Sequence, residues 1–221
     1  FMPKTKIEQS SPVCPDCGRP VQVLTENSYF FRLSKYEKRL LEYFSKNPEM
    51  IQPPFRIDEV KNFISQGLAD LSITRQTSSW GIQSPTPEKY SVYVWFDALL
   101  NYLTGVGFKD GKPGRYWPPD VQLIGKDILR FHTIIWPAIL MALNLPLPGK
   151  IFAHGWWTVE SEKISKSKGN IVDPVYLMER YGTDGFRYFL LREVTFGLDG
   201  EYSEEKFIKR YNSDLANDLG N

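Results

Sequence analysis

Cysteine is nearly missing from this chain: its 221 residues include two, Cys14 and Cys17, and histidine is as scarce, with only His132 and His154. Tetrahedral zinc takes four ligands, so the string CPDCGRP supplies half of a zinc knuckle. Pro15 and Gly18 suit the tight turn that would aim two thiolates at one Zn2+, while a plain thiol-bearing turn and a redox pair stand as the other readings.

Long apolar runs are lacking too. The most apolar stretch, Phe131 to Leu147, is broken by His132, Pro137, Asn144 and Pro146, short of the roughly 20 clean residues of a membrane helix. No signal peptide is visible, so the expectation is a cytoplasmic protein with no membrane partner, an organelle being the other compartment left open. An excess of one charge is absent as well. Lys and Arg number 27 against 26 for Asp and Glu, a net charge of +1. That excludes a generic nucleic-acid coat and leaves local clusters such as Lys163, Lys166 and Lys168 to meet phosphate. There are no internal repeats and no low-complexity tracts.

What is present is a globular composition, 42% hydrophobic and 24% charged, enough for one large domain or two small ones. SKYEKRLLEYFSKNP predicts a helix over 35–46, with Ser34 and Glu37 as a capping box and Asn47 and Pro48 as its stop. A second helix is expected from Ile57 to Gln66, ended by Gly67. Between Thr74 and Glu88 the accumulation of Thr, Ser, Gly and Pro reads as irregular chain. Beyond it, YSVYVW (90–95), VQLIG (121–125) and KIFAHG (150–155) alternate with helical patterns, as βα units do. A right-handed parallel crossover follows for Val121 to His154. Ligands of such sheets lie at the carboxyl ends of the strands, which nominates Trp95, Gly125, Asp127 and His154. Asp173 before Pro174 reads as a helix start, Thr183 and Ser203 open two more helices, and Phe207, Tyr211, Leu215 and Leu219 step by four along one face.

Chemistry is suggested by two constellations. KISKSKGN (163–170) sets three lysines among serine spacers; mobile ammonium groups there could stabilise the charge that spreads over a triphosphate as pyrophosphate leaves. The other is a pair of aromatic faces: Trp95, Ala98 and Tyr102 on one helix, Ile128, His132 and Trp136 on another, with a kink expected at Pro137. Such faces can enclose a flexible thioether, with the Tyr102 hydroxyl or a His132 nitrogen donating to sulfur. Read from charge and spacing alone, the lysines are more readily an exposed basic loop and the aromatics an ordinary core. Likewise Asp127 reads as an N-cap, His154 as a strand-end histidine and Arg75 as a solvated charge.

KISKS resembles the Lys-Met-Ser-Lys-Ser signature of class I aminoacyl-tRNA synthetases, with isoleucine at the methionine position. CPDCGRP, SYFFRLSKYEKRLLEYF, GLADLSITR, VYVWFDALLNYLTG, IGKDILRFHTIIWPAIL, FAHGWWTVESEKISKSKGN and LANDLGN resemble the methionyl-tRNA synthetases in particular, across nearly the whole chain. The resemblance implies an α/β fold: the second half of a Rossmann-like parallel-sheet nucleotide-binding domain, with an inserted connective subdomain and the start of a helical stem. The expected spans are 1–30 for the zinc-knuckle part of the insertion, 31–89 for the connective subdomain, 90–172 for the Rossmann-like half and 173–221 for the stem. A methionine pocket is implied at Trp95, Ala98, Tyr102, Ile128, His132 and Trp136. Adenosine and phosphate contacts are implied at Gly125, Asp127, His154, Lys163, Ser165 and Lys166, and a catalytic arginine at Arg75.

The implied reaction is ATP-dependent activation of methionine to methionyl-adenylate and its transfer to tRNA(Met), with Mg2+ accompanying ATP and possible structural zinc at Cys14 and Cys17. The family's His-x-Gly-His run is absent from the sequence, so this chain is expected to need the missing amino-terminal half of the catalytic domain as a partner and to be inactive alone. Leu71 and Leu99 stand where some relatives have tryptophan and proline. A class I enzyme for leucine, isoleucine, valine or cysteine, and a non-catalytic zinc- or tRNA-binding module, are the competing readings.

Overall fold

A computed structural model of the chain describes residues 13, 20–21, 25–76, 80–160, 162–164 and 170–220. In chain order its elements are β1 (Phe30–Phe31), α1 (Glu37–Lys46), β2 (Ile51–Gln52), α2 (Phe55–Ser65), β3 (Leu71–Ser72), β4 (Thr74–Arg75), β5 (Ser91–Val92) and α3 (Val94–Gly105). There follow β6 (Val121–Gly125), α4 (Trp136–Ala142), β7 (Lys150–His154), β8 (Trp157–Val159), β9 (Glu162–Lys163), α5 (Pro174–Tyr181), α6 (Thr183–Arg192), β10 (Gly200–Glu201) and α7 (Glu204–Arg210). They form two compact units, Phe1–Phe31 with Asp70–Ala98, and Arg32–Ala69 with Leu99–Asn221. The span 31–89 is thus shared between both units.

The larger unit is built on a parallel sheet of order β2, β7, β6. β6 and β7 occupy the residues their apolar runs predict and pair from Val121 with Lys150 to Gly125 with His154. Alternation sets their faces: Gln122 and Ile124 of β6 and Ile151 and Ala153 of β7 are buried, whereas Val121 and Leu123 point outward. The crossover runs through α4, whose residues Trp136 to Met141 are all buried, as expected of a helix apolar on every side. α1 buries Leu40 and Phe44, four apart, and α2 buries Ile57, Val60 and Ile64, the spacing that puts one stripe of each helix against a core.

Gly67, in a left-handed conformation at φ +94°, ends α2 as expected. The capping box does not form. Ser34 lies inside a 3-10 turn, Leu33–Tyr36, and Glu37 turns away to accept the Leu68 N–H at 3.1 Å. Nor is the break in the crossover helix a simple kink at Pro137. Phe131–Ile135 forms a π-helical turn, with the Trp136 N–H reaching back to the Phe131 carbonyl. Pro137 has no N–H to offer a tighter turn, and one wider turn ahead of it absorbs the mismatch.

Further along, Asp173 and Ser203 cap their helices, accepting from the Val175 and Lys206 amides at 2.9 and 3.2 Å. Phe207 is buried in a ring cluster with Tyr181, Phe189 and Tyr211. From Tyr211 the chain winds as a π-helix to Leu219. The step-of-four stripe therefore does not stay on one face, and Leu219 is 80% exposed.

In the smaller unit β1 pairs antiparallel with β3, and β4 with β5. Ser28 ties the strands together, its Oγ 2.6 Å from Ser72 Oγ and 3.2 Å from Thr74 Oγ1. The strand expected over 90–95 is confined to Ser91–Val92 and lies outside the parallel sheet; Trp95 sits in the first turn of α3 instead of at a strand end. A run of Val, Tyr and Trp suits both a strand and an apolar helix start, and here the helix wins.

Candidate functional site

β6 and β7 end side by side at Gly125 and His154, and the chain turns out of β6 through a 3-10 segment, Lys126–Ile128. A Cβ on Gly125 would lie 2.6 Å from Asp127 Oδ1 and 3.8 Å from His154 Cε1. The bare glycine therefore keeps the Asp127 carboxylate and the His154 ring together at the strand ends. Asp127 also accepts from the Trp156 indole N–H at 3.2 Å, and His154 Nδ1 donates to the Gly155 carbonyl at 2.7 Å.

Three residues at this end were not nominated by sequence: Lys126, Trp156 and Asp199. Lys126 Nζ lies 2.5 Å from Asp199 Oδ2 and 4.2 Å from the centre of the Trp156 ring. The other Asp199 oxygen accepts the Trp156 backbone N–H at 2.8 Å. The lysine ammonium donating to Asp199 holds its carboxyl below the usual carboxylate range. Adjacent to them, His154, Gly155, Trp157, Leu190 and Phe196 border a cleft of about 240 Å³. The aromatic pair in HGWW was a local signal for Trp156, but Asp199 is 73 residues from Lys126 and only the fold brings it in.

The second cluster joins α3 to the π-helical turn. Tyr102 Oη and His132 Nε2 are 2.8 Å apart, and His132 Nδ1 is 3.0 Å from the Ile128 carbonyl oxygen. A carbonyl can only accept, so Nδ1 carries the hydrogen; in the neutral ring Nε2 then accepts from the Tyr102 hydroxyl. Burial pushes the His132 pKa below its ordinary value and the Tyr102 pKa above its own, which keeps both neutral. Both hydrogens are thus committed, and in this arrangement neither Tyr102 nor His132 has a donor to spare for a sulfur atom, contrary to expectation. Trp136, fully buried, lies 5.8 Å from the Tyr102 ring and stands edge-on to Trp117 at 5.7 Å. A cavity of about 230 Å³ opens beside them, bordered by Tyr102, Val106, Trp117, Pro119 and Gln122. Ile128, His132, Trp136 and Tyr102 are therefore brought together. Trp95 and Ala98 share the helical face of Tyr102 by their spacing on α3, are half-buried, and belong to the smaller unit.

In that smaller unit Arg75 donates to Ser72 Oγ at 2.8 Å and to the Thr74 carbonyl at 2.7 Å, and its guanidinium lies 4.1 Å from the centre of the Tyr93 ring. It is a bonded strand residue rather than a solvated charge. Lys163 is at the end of β9, paired with Thr158 of β8 in the hairpin that the Thr-Val-Glu-Ser-Glu connection suggested. Ser165, Lys166, Cys14 and Cys17 lie outside the described residues. Among the described residues no group of three or more His, Cys, Asp or Glu is placed to hold a metal ion, and no helix is long and apolar enough to cross a membrane.

Residues 3–221 match the family model described as tRNA synthetases class I (M). Among curated relatives, the chain is 59% identical over 211 residues to a methionine–tRNA ligase of Caldanaerobacter subterraneus and 56% identical to that of Bacillus subtilis. These matches take in 94% of this chain but 33% and 32% of the relatives, so the chain spans about a third of their length. Among solved structures, Mycobacterium tuberculosis methionyl-tRNA synthetase in complex with methionyl-adenylate superposes with a TM-score of 0.89 at 51% identity, over 97% of this chain and 43% of that one. The apo form of the same enzyme gives 0.85 at 46% identity.

Proposed function

The chain belongs to the class I tRNA synthetases of the methionine type, and from that premise we propose that it supplies the methionine-side-chain and adenosine parts of a methionine–tRNA ligase site. The observation that carries this reading is the neutral Tyr102–His132 pair backed by Trp136. The polar hydrogens of Tyr102 and His132 are taken up, while the buried Trp136 indole N–H has no hydrogen-bond partner among the described residues; rings that present faces and edges in this way suit a polarizable thioether, whose contacts with aromatics are worth about 0.3 to 1.5 kcal/mol each.

At the strand ends Gly125 would let the nucleotide approach the backbone, Asp127 would accept bonds from the ribose hydroxyls, and His154 would border the adenosine. The reaction is attack of the methionine carboxylate on the α-phosphate of ATP, forming methionyl-adenylate and releasing pyrophosphate, followed by transfer of methionine to the terminal adenosine of tRNA(Met). Such chemistry asks for positioning and charge neutralisation rather than a covalent catalyst. Lys166 and Lys163, with Ser165 between them, would neutralise the departing pyrophosphate, which Mg2+ accompanies as part of the substrate. The relatives' greater length supports a further part of the catalytic domain as the partner that completes the ATP site.

The test is methionine-dependent exchange of pyrophosphate into ATP by the full-length polypeptide carrying these residues, with leucine, isoleucine, valine and cysteine as alternatives. Exchange with methionine alone is expected. Exchange driven as well by leucine would overturn the choice of amino acid, and no exchange with any of them would favour a non-catalytic module.

A further inference from the structure

Trp117 lies in the connection from α3 to β6, and that connection is clamped at two points. Any side chain at Gly114 would overlap the Val106 carbonyl just past the end of α3, and the Pro119 carbonyl accepts the Gly149 N–H at 2.9 Å just ahead of β7. Within that frame Trp117 is 9% exposed and its indole N–H donates to the Pro146 carbonyl at 3.0 Å. Trp136 has no such tether. It is fully buried, yet its own indole N–H finds no hydrogen-bond partner among the described residues, so its orientation is set by packing. Two rings stand close to it, Tyr102 at 5.8 Å and Trp117 at 5.7 Å. The planes of the two indoles are 80° apart, the edge-to-face arrangement that aromatic pairs favour. Tyr102 and Trp117 also border the cavity of about 230 Å³, so open space adjoins the ring that packs on Trp136.

Resting on the methionine reading given above, we propose that Trp117 is a positioning residue that sets the depth of the side-chain pocket: tethered to Pro146, it keeps Trp136 from turning away from Tyr102 and His132, so the pocket ends at a length that suits a methyl thioether. A shorter side chain at position 117 joins the volume it gives up to the adjoining cavity. Trp136, with no hydrogen bond to break, then turns into that space and the pocket lengthens. Discrimination against a longer thioether is thus governed by a residue that touches no substrate, from a connection outside the helices that carry the pocket.

The experiment is pyrophosphate exchange by the full-length polypeptide with methionine and with ethionine, one methylene longer, for the unaltered protein, Trp117→Leu, Trp117→Phe and Val106→Ala. One extra methylene in a fitted apolar pocket is discriminated by roughly 10- to 200-fold, and the unaltered protein should prefer methionine on that scale. Trp117→Leu should shrink the preference about tenfold, with the KM for methionine raised and the KM for ATP unchanged. Trp117→Phe, which keeps a ring but has no N–H for Pro146, should lose part of the preference. Val106→Ala enlarges the same cavity without removing a ring and should keep it. An unchanged preference in Trp117→Leu overturns the proposal, as does an equal loss in Val106→Ala or a KM for ATP that rises in step with that for methionine. Should Trp117→Leu fail to fold, an unchanged preference in Trp117→Phe overturns it. An unaltered protein that exchanges without preferring methionine to ethionine also overturns it, whereas one without methionine-dependent exchange would sink the functional reading instead.

Discussion

The Tyr102 hydroxyl donates to His132 Nε2 across 2.8 Å while the opposite ring nitrogen donates to the Ile128 carbonyl. The phenol therefore satisfies the acceptor of a ring that is 3% exposed. Replacing Tyr102 by Phe leaves that acceptor bare, and a buried unsatisfied group costs about 1 to 3 kcal/mol. A lower unfolding midpoint in urea is expected, together with a raised KM for methionine and an unchanged KM for ATP. Equal rises in both constants would disconnect the pair from the amino-acid pocket.

Acid should loosen the fold through His132. Burial holds its pKa below 6.5, its value in an open chain. Between those two values the unfolded chain binds more protons than the folded one, so stability falls as pH drops below about 6.5 and is fully present above it. Asp199 and Asp214, also held low, act in the same direction but below the ordinary aspartate value of 3.8. Melting temperatures recorded from pH 8 to pH 5 should decline, and His132→Gln should flatten the decline. A slope that survives the substitution would place the proton elsewhere.

Gly125 has φ −73° and ψ 146°, a conformation any residue adopts, so Gly125→Ala carries no backbone strain. The added methyl would crowd the Asp127 carboxylate oxygen, 2.6 Å away, and make ordinary contact with the His154 ring at 3.8 Å. The protein should melt within about 2 °C of its parent, a shift well under 1 kcal/mol, yet its KM for ATP should rise by roughly tenfold if a charged hydrogen bond is lost. Unaltered nucleotide binding would remove Asp127 from the site.

Gln122 is 6% exposed, and its carboxamide nitrogen and oxygen find no hydrogen-bond partner among the described residues. Gln122→Leu keeps the volume and sheds the polar atoms. Stability should increase by about 1 kcal/mol, because a buried polar group without partners is replaced by an apolar one. Calorimetry checks the sign, and a lower melting temperature would show that the carboxamide is satisfied.

Much of the parallel sheet was legible because VQLIG and KIFAH are compact apolar runs bounded by Gly and Pro, long enough for five ladder pairs. β2 was not, since two residues between helices carry no alternation to read, and only the sheet recruits them. The pocket residues on one helix, Ile128, His132 and Trp136, were readable as a face because they are near in sequence. Their hydrogen-bond directions were not, as these depend on a π-helical turn that no propensity signals. Trp95 was placed at a strand end because β-branched and aromatic residues fit both strand and helix. The Lys126, Trp156 and Asp199 cluster joins three separate segments, and sequence has no local term for that.

β6 is the outer strand of the described sheet, and it turns Val121 and Leu123, 52% and 59% exposed, toward solvent. An apolar strand in that position is a template for any extended peptide that meets it. For whoever purifies this chain, concentration becomes the variable to control: dilute solutions should stay clear where concentrated ones turn cloudy, and a short β-forming peptide should keep them clear by occupying the strand first.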